Sequence, residues 1–197
     1  MTTVLQSGRA IRAPLSASLL LTIFLAGCAG AGQPNLRVKV AGAGEREVPA
    51  KPGYTFAVTK TFTAIDGKMT TAPSYRVFVA GHDLDASGKG RTLAAPLSAD
   101  GQLKLDFSLV GDEGGNDKTA LQPGEYSAKA DKFRKVEAVM VSTYGGGKES
   151  KVIFDRSATD GSVKVSSVSG DTVTGEINLT SGENSIRGPF TAKVIRL

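Results

Sequence analysis

Tryptophan is absent from the 197 residues, and cysteine and histidine occur once each. A single thiol cannot close an internal disulfide, and zinc centres built on two or more cysteines are excluded. One imidazole leaves a Ser-His-Asp triad open but excludes a multi-histidine metal site. With no Trp and only four Tyr, broad aromatic platforms for stacking sugars are scarce. No acid stands before Glu45. Beyond residue 27 no window longer than about ten residues repeats at the helical period. What is present bounds the chain further. Hydrophobic residues make up 40%, which excludes wholesale disorder, and the 24 Gly and 8 Pro follow no collagen-like period. The length suits one domain.

The N-terminus reads as a leader over residues 1–27. Arg9 and Arg12 form a positive start, and an apolar run follows from Leu15 to Leu25. That run is short for a membrane span of about 20 residues but suits the apolar segment of a signal peptide. It ends in Leu25-Ala26-Gly27-Cys28. This tetrapeptide resembles the lipobox of bacterial lipoproteins, in which small residues precede a cysteine that is lipidated and becomes the first residue. The resemblance implies a diacylglyceryl group, with its acyl chains, on Cys28. It places the protein in the cell envelope, attached to a membrane through that lipid. Ala29 occupies the position where an Asp signals inner-membrane retention in that family, which favours the outer membrane, facing the periplasm or the cell surface. Cys28 and residues 29–35 then form a flexible tether. Removing residues 1–27 takes away Arg9 and Arg12 and no acid, so the net charge falls from +5 to +3. So mild a charge gives no reason to expect a nucleic-acid partner.

Residues 36–197 read as a single all-β domain. Leu36, Val38 and Val40 alternate with Arg37 and Lys39; Tyr54, Phe56 and Val58 share a face; Tyr75, Val77 and Val79 do likewise. Leu103, Leu105, Phe107 and Leu109 alternate with Lys104, Asp106 and Ser108. Such period-two patterns mark antiparallel strands with one face on a core. Val163 and Val165, then Ser169-Gly170-Asp171, then Val173, Ile177 and Leu179 read as a hairpin over 162–180. Pro189 has no N–H to donate, which points to a sheet edge or a bulge for the last strand, Ile186 to Val194. Polar and glycine clusters at 81–90, 111–119, 144–150, 157–161 and 181–185 separate the strands. Leu121-Gln122-Pro123-Gly124-Glu125-Tyr126 resembles the turn-and-strand motif of immunoglobulin-like and transthyretin-like secreted domains, where the Tyr packs at a sandwich corner. The expected architecture is therefore an antiparallel β-sandwich of that kind.

Motifs for chemistry are incomplete. His82 lies between Gly81 and Asp83, with Asp85 nearby to orient it, but no Ser stands in a G-x-S-x-G elbow. Asp83, Asp85, Ser87 and Gly88 copy the first half of an EF-hand-type calcium loop, whereas Lys89, Arg91 and Ala94 spoil the second half. A second oxygen-rich segment runs from Asp112 to Asp117. Ser87-Gly88-Lys89-Gly90 and Gly145-Gly146-Gly147-Lys148 lack the spacing of a phosphate loop. The densest charge is Lys129, Lys132, Arg134 and Lys135, with Asp131 and Glu137 among them. Such a run is a solvated loop or a contact for anionic lipid. The expectation is a non-catalytic binding or structural role at the membrane surface, with no cofactor and no metal, and an envelope protein or glycan as partner. The alternative is a calcium- or glycan-binding module using loops 81–90 and 111–117.

Overall fold

A computed structural model describes residues 35–197. The leader, the lipobox, Cys28 and residues 29–34 lie outside the described residues. The alternating segments form eleven strands: β1 Asn35–Val40, β2 Gly44–Pro49, β3 Lys51–Thr63, β4 Met69–Ala80, β5 Leu103–Val110, β6 Gly124–Ser127, β7 Lys135–Gly145, β8 Lys148–Ile153, β9 Thr159–Ser169, β10 Thr172–Ser181 and β11 Asn184–Val194. A single helical turn, α1, covers Gly90–Leu93. The hairpin read over 162–180 is β9–β10, in register from Thr172↔Ser169 to Ser181↔Thr159.

The strands do not form the expected sandwich. Hydrogen bonding runs β10-β9-β6-β7-β5-β4-β3-β11, and β11 then pairs back onto β10, closing an eight-stranded barrel. The β1–β2 hairpin joins this wall through β11, and β8 joins through β7. Period-two alternation records only that each strand buries one face, which sandwiches and barrels share. Closure depends on whether distant edges meet.

β11 makes them meet. It pairs antiparallel with β10 along its length, from Thr172↔Lys193 to Ser181↔Asn184. On its other side it pairs first with β1, at Arg37↔Arg187 to Lys39↔Ser185, and then in parallel with β3, at Ala192↔Gly53 to Val194↔Thr55. The strand as a whole is internal, while around Pro189 it is open on one side, as an edge is. Pro189 falls within residues 188–191, which pair with β10 alone as β11 passes from β1 to β3, so its missing donor is tolerated there. Gly175, at a bulge in β10, admits the ring of Phe190: a Cβ there would meet Lys164 O at 2.4 Å and Phe190 Cε1 at 2.6 Å.

Side chains fill the interior. Val77 and Val79 of β4, Leu105, Phe107 and Leu109 of β5, Val163 and Val165 of β9, Ile177 and Leu179 of β10, and Ile186 and Phe190 of β11 are all buried in one cluster. Phe107 and Phe190 meet edge to face at 5.6 Å. An eight-stranded barrel has an interior just wide enough for such filling. Beside Val136, Val139 and Phe154 a recess of about 10 Å³ has room for one water at most.

The weakest seam of the ring is β6–β7, with a single parallel pair, Ser127↔Lys135. Arg134 pins it. Its N–H donates to Gly111 O, and its own carbonyl accepts from Ser127 N at 2.8 Å. The guanidinium grips Asp112 through Nε and Nη2, both at 2.6 Å, and donates from Nη1 to Pro123 O at 3.1 Å. Its Cζ also lies 5.3 Å from the centroid of the Tyr126 ring. A backbone φ of +50°, unusual for a residue with a side chain, is held by these contacts. Two buried phenols complete the corner: Tyr126 donates to Gln122 O at 3.0 Å and Tyr75 to Thr119 O at 2.9 Å.

Two expectations follow from this corner. Arg134→Ala should lower stability by about 2 kcal/mol, from the loss of charge-assisted bonds, and Arg134→Lys should restore little because the fork is gone; urea unfolding reads both. Burial raises the Tyr75 hydroxyl well above the ordinary tyrosine range, with Tyr126 and Asp112 adding to it, and burial raises Tyr126 too. The unfolded chain therefore releases these protons first, so their contribution is constant below about pH 10 and is lost as pH rises beyond it. Thermal melts from pH 9 to 11.5 should show Tm falling, with a shallower fall in Tyr75→Phe.

Candidate functional site

With the interior filled, chemistry has to be sought on the outer wall. In β4 and β5 the residues facing away from the barrel include Phe78, Arg76, Lys104 and Asp106. The connection 81–102 folds back over them. Leu93, at the end of α1, packs on Phe56 and Phe78, whose rings stack at 6.1 Å. Thr92 Oγ1 donates to Asp85 O at 2.7 Å and ties the turn to the loop before it.

A polar array lies under and beside this flap. Lys104 is 3% exposed, and its Nζ donates to Leu93 O at 3.0 Å and Ala95 O at 2.5 Å. Burial lowers the pKa of this ammonium, while Glu149 and Asp106 oppose that shift. Arg76 forks onto Asp106, Nε to Oδ1 at 2.9 Å and Nη2 to Oδ2 at 2.5 Å, with its Cζ 5.0 Å from the Phe78 ring centroid. Glu149 of β8 accepts from Leu97 N at 3.2 Å and pairs with Lys151 at 3.1 Å. Next to the array is a shallow open groove lined by Phe56, Arg76, Lys89, Arg91 and the C-terminal Leu197. Arg76, Lys89 and Arg91 border it, the first of them already paired with Asp106. The groove has the charge to hold a carboxylate or phosphate against an apolar floor. Among the described residues lining it there is no nucleophile–base pair.

The residues singled out from sequence are dispersed. His82 is half-buried, with Nδ1 lacking a hydrogen-bond partner. Burial lowers its pKa, and neighbouring Lys104 lowers it further. Neither expected orienting acid serves it: Asp83 pairs with Lys51 at 3.0 Å, and Asp85 Oδ1 accepts from Ser87 N at 2.8 Å. Loops 81–90 and 111–117 lie at opposite ends of β4. The first follows Ala80, whereas Gly111 N and Gly114 N donate to Pro73 O and Thr71 O. Nine residue steps of strand, about 30 Å, separate Ala80 from Thr71, so the two loops cannot coordinate one calcium ion together. Three of the oxygen-bearing side chains of 111–117 are engaged: Asp112 with Arg134, Asn116 Oδ1 with Lys118 N, and Asp117 Oδ1 with Thr59 Oγ1. Among the described residues no three His, Cys, Asp or Glu side chains gather as a metal site. In the basic run, Arg134 is the seam pin, Lys129 donates to Ser157 O and Lys135 to Asp131 O.

Lys104 and Asp106 read in the sequence as the solvent-facing positions of a half-buried strand. Lys104 is covered because segment 81–102 lies on it, which only the length of that connection hinted at, and Asp106 is taken up by Arg76. Lys104→Met should leave the carbonyls of Leu93 and Ala95 without their donor and cost about 2 kcal/mol. The urea midpoint should fall and cleavage within 81–102 by added protease should quicken.

No known protein family matches this chain, and no curated protein or solved structure shows significant similarity to it.

Proposed function

We propose that the protein is a lipid-anchored component of a bacterial cell envelope with a non-catalytic binding role at the membrane surface. The observation that carries this reading is the position of the chain's sole cysteine, Cys28, at the end of Leu25-Ala26-Gly27, behind an apolar run and two arginines. The filled barrel supports the second half of the reading. A chain whose interior is occupied by Phe107, Leu105, Phe190 and Ile177 meets its partners on the outer wall and at its loops. The cationic groove at Arg76, Lys89 and Arg91 is a concave surface suited to an anionic group.

The anchor supplies attachment that charge cannot. Each buried methylene contributes about 0.8 kcal/mol, and two or more acyl chains hold a protein stably. A net charge of +3 after removal of the leader is largely screened at physiological salt. Cys28→Ser should abolish incorporation of a labelled fatty acid, and processed protein should move to the soluble fraction. The barrel's melting temperature should not change. Unlabelled wild-type protein, or a processed mutant that stays with membranes, would overturn the anchor.

A further inference from the structure

We infer that His82 is the latch of a pH-sensitive flap: when its ring takes up a second proton, segment 81–102 lifts from the outer wall, uncovering Phe56 and Phe78 and dismantling the cationic groove. The latch stands on the geometry of the flap; its control of the groove rests on the binding role proposed above. Few contacts hold the segment down. Gly81 N donates to Leu103 O at 3.2 Å where the segment leaves β4. Lys104 holds the carbonyls of Leu93 and Ala95 from below, and Leu97 N donates to Glu149 at 3.2 Å. Leu93 seals the middle against Phe56 and Phe78. Within the segment only Leu93 and Leu97 are buried. A segment with so few buried side chains opens locally at far less cost than the whole barrel unfolds.

His82 stands at the root of the segment, and the closed form has no place for a second proton on its ring. Nδ1 is buried without a hydrogen-bond partner. A neutral ring bearing its proton on Nε2 leaves only a lone pair there. A charged ring has to put an N–H in the same spot with no acceptor. The charged groups around the ring are Lys104 of β5, Asp83 beside it in the chain, and Lys51 of β3. Asp83 is already paired with Lys51 at 3.0 Å. A charged His82 is thus set against Lys104, the cation on which closure depends.

Burial first, and Lys104 second, keep the His82 pKa below the ordinary histidine range; Asp83 and the Leu103 backbone oppose this, and Lys51 adds to it. With the flap open, the ring meets water and protonates near about pH 6.5. The closed form therefore binds the proton less readily than the open form, and closure weakens as pH falls through that range. Glu149, the other latch, does not titrate there. Although burial opposes it, the Leu97 N–H and Lys151 hold its pKa below the ordinary glutamate range, so it stays charged. The groove follows the flap because its cations stand on two parts. Lys89 and Arg91 ride on the flap, whereas Arg76 belongs to β4 and the Phe56 floor to β3. An anion bridging the two parts holds the flap closed and so opposes proton uptake at His82.

The single histidine makes the test direct. In the full, processed protein carrying isotope-labelled histidine, the ring signal followed by NMR should titrate with a midpoint below about 6.5. Protection of segment 81–102 against hydrogen exchange, corrected for the intrinsic rate, should fall about threefold between pH 7.5 and 5.5, while β9 and β10 stay unchanged. His82→Asn should abolish the fall. Lys51→Gln, which removes a cation and frees Asp83, should raise the midpoint and shrink the fall. The probe for the groove is inorganic sulfate at constant ionic strength, whose charge is the same throughout this range. Sulfate should raise the protection of the segment, and Lys89→Gln with Arg91→Gln should cancel that effect. A fall that persists in His82→Asn, or protection in the parent that is flat with pH, overturns the latch. A fall as expected with no effect of sulfate overturns the groove as an anion site and leaves the latch standing. Protection by sulfate without a pH-dependent fall overturns the latch and leaves the groove.

Discussion

β11 hydrogen-bonds along both of its edges, and a sealed interior exists because it does. With β10 on one side and β1 then β3 on the other, one strand turns two free edges into a continuous wall. The described chain holds no cysteine, so no covalent brace substitutes for that wall. Apolar burial has to supply the stability, and it does so only where water is excluded from both ends of each strand pair. The second seam, β6–β7, has almost no ladder of its own. There Arg134 replaces the missing rungs, its guanidinium holding Asp112 and Pro123 and its backbone holding Gly111 and Ser127.

Local features of the fold were legible, and long-range ones were not. The alternation of Leu103, Leu105, Phe107 and Leu109, the turn at Ser169-Gly170-Asp171, and the packed Tyr126 after Pro123-Gly124 all report on neighbours within a few residues. Closure of the barrel is decided by Gly53 meeting Ala192 and Ser127 meeting Lys135. No composition or periodicity encodes the first of these, because the partners are far apart in the chain. Pro189 marked the open stretch of β11 at residues 188–191 but not the strand's internal place in the wall, for the same reason. Its missing donor is a local fact, but whether a donor is needed depends on which strands arrive alongside.

The outer wall shows the same division. Lys104 and Asp106 sit at the polar positions of a clean alternating pattern, and a reader of that pattern places them in water. The connection 81–102 then covers Lys104, which becomes the donor that holds the cover down, and Asp106 is taken up by Arg76. Arg134 looked like one of several solvated cations, yet its partners are distributed over three segments. Asp83, Asp85, Asp112 and Asp117 looked like candidate ligands, yet each is drawn into holding a turn or pairing with a neighbour. Each of these charged side chains acts as a structural fastener.

Closure by β11 also constrains the order of folding. Ala192 has to find Gly53 across almost the whole described chain, and loop closure over such a span slows folding. A chain still lacking residues 184–194 has no closed ring, however complete its hairpins are. Its core residues remain open to solvent until the last strand arrives. Any process that delivers the chain from its N-terminus onward, synthesis included, therefore holds it short of the closed barrel until nearly all of it is available.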